Sequence, residues 1–449
     1  MKSLRIVIIG GGSYNWTPGL VRDLVVRPEV QNSTIVLQDI DSESLELTFR
    51  FSQMLVETQN AACKIERTLD LDTALTGADV VVVTITTGGL ESMRADLEVP
   101  AKYGIYQSVG DTVGPGGLSR ALRNIPVLVD IARRIERLCP DAWMLNITNP
   151  MTTLCRAVAL ETRVKVVGLC HEYFEGLRAL VELLGVSEEA IETKVGGINH
   201  LIWLLDLKVN GRDAFPELRR CTKELLGKPV EPEMDPTVTS LLDRNRVKAQ
   251  VFQIFDFMPM ANDRHVAEFF PYFLSEAVGK GRRYGVKLTT VEERYLWAKE
   301  SETKIRALLE GEQDRRDFLD EDSREAVAPI CAALATDGHY EGILNLPNRG
   351  QITNLPDDII VETFGKLTRE SAAGLPVGAL PPAVLNIVST HTYNQEMIVE
   401  AALTGNRRLA LQALVNDPLV TDIDSAEAML TELLGANRDF LPKFFAADA

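Results

Sequence analysis

Residues 166–175 read VVGLCHEYFE, so a run of β-branched residues delivers a cysteine, a histidine and a glutamate side by side. The chain holds only six cysteines and five histidines. A second histidine, His200, closes a similar run in GGINHL (196–201). Thiolate and imidazole form a borderline-soft pair that suits a divalent transition metal. Two protein ligands, Cys170 and His200, would leave positions open for substrate oxygens, as a catalytic site requires and a structural zinc site does not. The bland alternative is a small buried hydrophobe at Cys170 and a satisfied core histidine at His200. A third polar group, Asp263-Arg264-His265, interrupts MPMANDRHVAEFFPYF (258–273). It reads either as a helix cap with a salt bridge or as a general base beside a cation.

A second chemistry is written at the N-terminus. GGGSYNWTPG (10–19) follows the strand-like LRIVIIG (4–10) and precedes a helical stretch, and Asp39 ends the next strand, TIVLQDI (34–40). Glycines let a backbone approach a pyrophosphate, a helix N-terminus favours its charge, and an acid at the second strand end binds ribose hydroxyls, favouring NAD over NADP. Gly10 and Gly12 fit the glycine rule, whereas Asn15 stands at its third place. With Ser13 and Thr86, these residues and Asp39 form the expected cofactor set. The alternative is a tight turn that binds no nucleotide. NITNP (146–150) ends a later strand, at the sheet edge where ligands of open α/β folds sit. Asn149 there suits a hydroxylated substrate, or else caps a helix begun by Pro150. Gly-rich stretches between 88 and 126 carry Arg94, Asp111 and Arg120.

The elements that must position these groups alternate. Strands are expected at 4–10, 34–40, 78–86, 142–150 and 165–171, with helices at 17–27, 42–60 and 119–140. Runs such as ADVVVVTIT imply strands covered on both faces. The pattern is α/β: a Rossmann-like, doubly wound parallel sheet over 1–195. A mainly helical α+β domain over 196–449 is expected to follow, carrying substrate, metal and subunit contacts. An extended pair around Asn210-Gly211 is expected at 199–213. Helices are expected at 237–257, 264–279, 290–310, 321–335 and 394–435, with Pro-rich joints at 229–236 and 375–382. A net charge of −17 argues against nucleic acid and anionic membrane. The scattered cysteines argue for free thiols in a cytoplasmic protein.

Taken together, GGGSYNWTP, GGLESMRADLEVPAKYG, GDTVGPGGLSRALRNIP, ITNP, GLCHE, GGINHLIWL and LPPAVLNIV resemble glycoside hydrolase family 4, the NAD- and metal-dependent glycosidases. The resemblance covers nearly the whole chain and implies the domain arrangement of lactate and malate dehydrogenases. It implies that NAD⁺ takes hydride from carbon 3 of the sugar. A divalent metal, typically manganese, acidifies the proton on carbon 2, the glycosidic oxygen leaves by elimination, water adds, and the hydride returns. It assigns Cys170 and His200 as metal ligands and Asp263 (or its neighbour Asn262) as base. His171, with Asp111 as its rival, protonates the leaving group, and Asn149 touches substrate hydroxyls. CHEY is closest to the CHEV type of α-galacturonidases, departing at Tyr173. Glu172 would then accept from the axial hydroxyl on carbon 4, and Arg94, Arg264 or Arg283 would meet a uronate carboxylate. α-Glucuronides and neutral α-galactosides or α-glucosides are the alternatives within the family. Outside it stand an NAD-dependent hydroxy-acid dehydrogenase and a non-catalytic NAD sensor. A homodimer or homotetramer is expected from the apolar helices of the second half.

Overall fold

The computed structural model describes residues 2–230 and 244–446. The joint at 229–236 and the start of the helix expected at 237–257 lie largely outside the described residues.

The first half forms strands β1 (Arg5–Ile9), β2 (Thr34–Gln38), β3 (Lys64–Thr68), β4 (Val80–Val83), β5 (Trp143–Asn146) and β6 (Lys165–Gly168). They pair in parallel in the order 3-2-1-4-5-6. VVVV of β4 and WMLN of β5 are buried at every position. Such strands form only where helices cover both faces. The chain reverses its winding between β1 and β4, so a crevice opens at their C-terminal ends. The sheet then continues antiparallel through β11 (Tyr340–Pro347), β12 (Ile360–Leu367), β7 (Ile191–Ile198), β8 (Leu201–Val209) and β10 (Met258–Pro259). Short strands β9 (Arg212–Asp213) and β13 (Ala372–Gly374) pair with β8 and β12.

Both faces of the parallel sheet are covered by elements from the two halves together. On one side, helices Gly114–Leu138 and Met151–Glu161 share a core with Pro382–Thr404, Arg407–Asn416 and Ile423–Ala436. On the other, Thr17–Val25 and Ser42–Gln59 pack with Val291–Glu310, Arg315–Leu319 and Val327–Ala335. The division expected at 195/196 falls inside β7. Among the described residues no helix is long and apolar enough to cross a membrane.

Several expectations need correction. The Gly-rich stretches of 88–126 form helix Gly89–Lys102, a short loop, and helix Gly114–Leu138, which starts five residues before the expected 119 and carries Pro126 in its interior. The helix expected at 264–279 stops after Asp263–Val266 and one 3₁₀ turn, Ala267–Phe269, because Pro271 cannot continue it. The helix expected at 394–435 is three helices, broken at Gly405 (φ +75°) and at Asp417-Pro418. The turn at Asn210-Gly211 is present, with φ of +49° and +73°. The main partner of β8, however, is β7, joined to it through Asn199-His200.

Candidate active site

Three segments meet beyond the C-terminal end of β6: the loop before Gly114, the β7–β8 turn and the segment after β10. The turn is tight. A Cβ at Gly197 would lie 2.3 Å from the Leu201 carbonyl oxygen, and His200 takes a left-handed φ of +62°. That conformation is costly for a side-chain-bearing residue and is held here by its surroundings. His200 is buried, and its Nδ1 lies 2.8 Å from Thr112 Oγ1. The Thr112 hydroxyl is also 2.7 Å from Asp111 Oδ1. A hydroxyl that donates to Asp111 accepts from His200 Nδ1–H, and that tautomer leaves Nε2 with a free lone pair. Burial, followed by the field of His265, pushes His200 down to about 3, so it is neutral as a metal ligand must be.

The His265 ring lies against His200, tilted by 36° with ring centroids 3.8 Å apart. Its Nδ1 is buried without a hydrogen-bond partner and lies 3.9 Å from Asp111 Oδ1. Its Nε2 lies 3.7 Å from Glu172 Oε1. Burial alone would raise the Asp111 and Glu172 carboxyls. The neighbouring His265 and His200 overcome it, holding Asp111 well below the carboxylate range and Glu172 at about 2. Glu172 also accepts the Asn262 backbone N–H. Asp111, His200 and His265 can each offer one donor atom within 4.8 Å of the others. Two imidazoles and a carboxylate suit a divalent cation such as Zn²⁺ or Mn²⁺.

Cys170, the expected partner of His200, lies outside that set of three. Its side chain is half-buried, and Asn199, next to His200, hydrogen-bonds to it. Burial, then Glu362 and Glu172, pushes its thiol well up. A bound cation would reverse that preference, since it is the largest local charge and deprotonates a coordinating thiol. Beneath Cys170 the buried Glu362 accepts from Asn345 Nδ2 at 2.7 Å and Asn199 Nδ2 at 3.5 Å.

A cavity of about 390 Å³ adjoins this cluster, and Asp111 lines both. Its floor is the glycine turn and the ends of β1, β4 and β5, including Ser13, Thr86 and Asn149. Gly10 (φ +89°) passes so close to β4 that a Cβ would sit 2.0 Å from Thr84 O. At Gly12 a Cβ would meet Asp39 Oδ2 at 2.9 Å, the atom that accepts the Gly12 N–H at 2.8 Å. This is a backbone cradle that only glycines can form, and it fits a dinucleotide. Arg120 fixes the far wall, donating from Nε to Asn149 O at 3.0 Å and from Nη2 to Thr86 Oγ1 at 3.1 Å. The Asn149 amide does not cap the following helix, whose N-cap is Pro150. It points to Asp111, 3.5 Å away, and its Oδ1 is buried without a partner.

Other expected residues lie elsewhere. Asp263 is buried, but its carboxylate accepts Val247 N–H at 2.9 Å and Lys248 N–H at 3.0 Å. It caps helix Arg246–Phe255 rather than facing the cluster. His171 donates from Nδ1 to Glu325 Oε1, 2.8 Å away. Burial opposes its charge, but Glu325 prevails and raises it to about 9. Arg94 is held at the surface by Glu91, Glu98 and Glu292. Arg283 is exposed against the Tyr284 ring. Arg264 stays near the cluster, bonded to Thr289. The residues not foreseen are Thr112, Arg294, Glu268 and Glu362; His265 was seen only as part of a polar triplet.

Residues 5–186 match the model of the family 4 glycosyl hydrolases, and residues 195–420 match the model of their C-terminal domain. The chain belongs to glycosyl hydrolase family 4. This family 4 enzyme is 34% identical to an α-galacturonidase of Thermoanaerobacter italicus, over 98% of each chain. It is 31% identical to an α-galactosidase of Bacillus subtilis, over 98% of this chain and 99% of that one. Its fold superposes on a putative glucosidase of Bacillus subtilis with a TM-score of 0.88, 32% identity, and 96% and 100% of the two chains covered. A 6-phospho-β-glucosidase of Thermotoga maritima, solved with manganese, NAD⁺ and glucose-6-phosphate, follows at 0.78 and 26%, covering 97% and 99%. A malate dehydrogenase of Plasmodium falciparum shares the fold at 0.52 and 11%, covering 91% and 100%.

Proposed function

We propose that this family 4 hydrolase cleaves α-galacturonides through transient oxidation of the sugar, with NAD and a divalent cation as cofactors. The observation that carries the reading is Asp111, one carboxylate shared by the cavity beside the glycine turn and the donor cluster. Gly10, Gly12, Ser13, Asp39 and Thr86 would hold NAD; Cys170 and His200 would hold the cation, manganese in a solved relative. Bound there, the two supply a reversible hydride acceptor for sugar carbon 3 and a positive charge that acidifies the proton on carbon 2.

The protein's own groups do the rest. Asn149 orients a substrate hydroxyl, because its Oδ1 has no other partner and Arg120 fixes its backbone. His265 takes the proton from carbon 2 at its unpartnered Nδ1, with Asp111 beside it to stabilise the charge. His171, protonated at neutral pH by its bond to Glu325, supplies a proton to the departing glycosidic oxygen. Glu172 is ionised and accepts from the hydroxyl on carbon 4. The sugar assignment is supported by the α-galacturonidase relatives at about 34% identity. The α-galactosidase relative at 31% favours a neutral galactoside as the second reading.

The test is hydrolysis of paired α-galacturonide, α-glucuronide and α-galactoside substrates with NAD⁺, Mn²⁺ and a thiol reductant, with Cys170→Ser alongside. Galacturonide hydrolysis that needs both cofactors and Cys170 is expected. Hydrolysis of the neutral galactoside alone would replace the sugar assignment. Steady NADH accumulation without hydrolysis would mean a dehydrogenase.

A further inference from the structure

Each arginine near the cavity can be followed to its partners. Arg120 is committed to Asn149 and Thr86, and Arg94 is neutralised by three surface carboxylates. Arg294 is different. It projects from helix Val291–Glu310 into the cavity wall beside Asp111 and Asn149. One Nη2–H reaches Val109 O at 3.2 Å, and its Nε is buried with no hydrogen-bond partner. Arg264 Nε is buried and unpartnered in the same way. Asp111 lies in the field of both arginines.

Arg120, Arg264 and Arg294 share this corner with Asp111, Glu172 and Glu268. Burial pushes Glu268 up to about 7, leaving it only partly ionised at neutral pH. Burial pulls Arg294 down to about 10. A buried guanidinium with an unmade hydrogen bond is costly and calls for an anionic partner. A guanidinium fork matches a planar carboxylate in two parallel bonds, which a hydroxymethyl group cannot reproduce.

Resting on the galacturonide reading above, we propose that Arg294, backed by Arg264, is the clamp for the carboxylate on carbon 6 of the sugar and so selects uronides over neutral sugars. A site built to bond an ionised group rejects the analogue that lacks it, because its own buried donors are then left unpaired.

The experiment measures binding of D-galacturonate, D-galactose and D-galactose 6-phosphate by calorimetry to enzyme loaded with NAD and Mn²⁺. The proteins are wild type, Arg294→Gln, Arg294→Lys and Arg94→Gln. Wild type is expected to prefer galacturonate. Arg294→Gln should weaken galacturonate roughly 10- to 100-fold, the size of a lost charge-assisted bond, and galactose less than about three-fold. Arg294→Lys should fall between, and Arg94→Gln should match wild type. Arg294→Gln weakening both sugars alike would mean that Arg294 only positions the 107–113 loop through Val109, and the proposal falls. A galacturonate preference that survives Arg294→Gln also overturns it, while leaving the galacturonide reading intact. Wild type preferring galactose, or the 6-phosphate, defeats both, and the wild-type profile alone reveals that.

Discussion

Asp263 offers a sharp test, because sequence resemblance and structure give its carboxylate different work. Both of its oxygens accept backbone N–H groups at the start of helix Arg246–Phe255. The Lys248 ammonium, with no exposed side-chain surface, lies 3.9 Å from Oδ1 and also donates to Asn245 Oδ1 at 2.9 Å. Asp263→Ala therefore removes a helix cap worth about 1 kcal/mol. It also removes a negative charge 3.9 Å from the Lys248 ammonium, which keeps its bond to Asn245. A loss of about 1–2 kcal/mol is therefore expected, measurable against the roughly 5–15 kcal/mol of a typical fold. Urea unfolding followed by fluorescence measures it, with hydrolysis assayed well below the transition. The folded variant should keep kcat within about ten-fold of wild type, whereas His265→Gln, which removes the proposed base, should lose a factor of about 10²–10⁴. An unchanged unfolding midpoint with kcat abolished would refute the capping role and restore Asp263 as the base.

Further outcomes follow from the same geometry. The Asp96–Arg123 pair has no exposed surface and bonds at 2.5 and 2.8 Å. Asp96→Ala should cost about 3–5 kcal/mol in chemical denaturation, and the double change to Leu and Met less than either single one. Gly10→Ala places a Cβ 2.0 Å from Thr84 O at a left-handed φ, so it should lower Tm and abolish NAD binding in a fluorescence titration. Glu268 is raised by burial from 4.5 to about 7 in the folded protein. The folded state then holds its proton longer than the unfolded state, and stability falls as pH rises through that interval. Glu268→Gln should flatten that part of the stability–pH curve.

The parallel strands were legible because unbroken apolar runs such as VVVV have no stable place except between two covered faces. Their ends were read too long. Sequence extended β4 to Thr86 and β6 to His171, whereas the paired strands stop at Val83 and Gly168. The surplus residues lie at the ligand-bearing edge, where pairing ends, and His171 already takes the helical backbone of the next helix's N-cap. β3, KIERT, was missed because an exposed edge strand carries little apolar signal. β11 and β12 were missed because they reach the parallel sheet only through tertiary pairing, Asn345 of β11 opposite Gly168 of β6. Within the site, Cys170, His200 and Asp111 announced themselves by rarity or by glycine-rich surroundings, and Asn149 by its place at a strand end. Arg294 did not. In VEERYLWAKE it is indistinguishable from a solvated helix face until the fold turns it onto the cavity. Glu362 is likewise one acid in a strand, and only its burial beside Asn199 and Asn345 marks it. Asp263 failed in the opposite direction, since a buried acid beside Arg264 and His265 looks catalytic until its hydrogen bonds are traced.

The central claim is that the glycosidic bond leaves by elimination after a proton is taken from carbon 2. The direct measurement is hydrolysis of an α-galacturonide in D₂O with NAD⁺ and Mn²⁺, followed by NMR of the released sugar. Elimination and water addition predict deuterium on carbon 2 of every product molecule. A product that keeps its original hydrogen at carbon 2 would mean direct displacement at the anomeric carbon and would contradict the account.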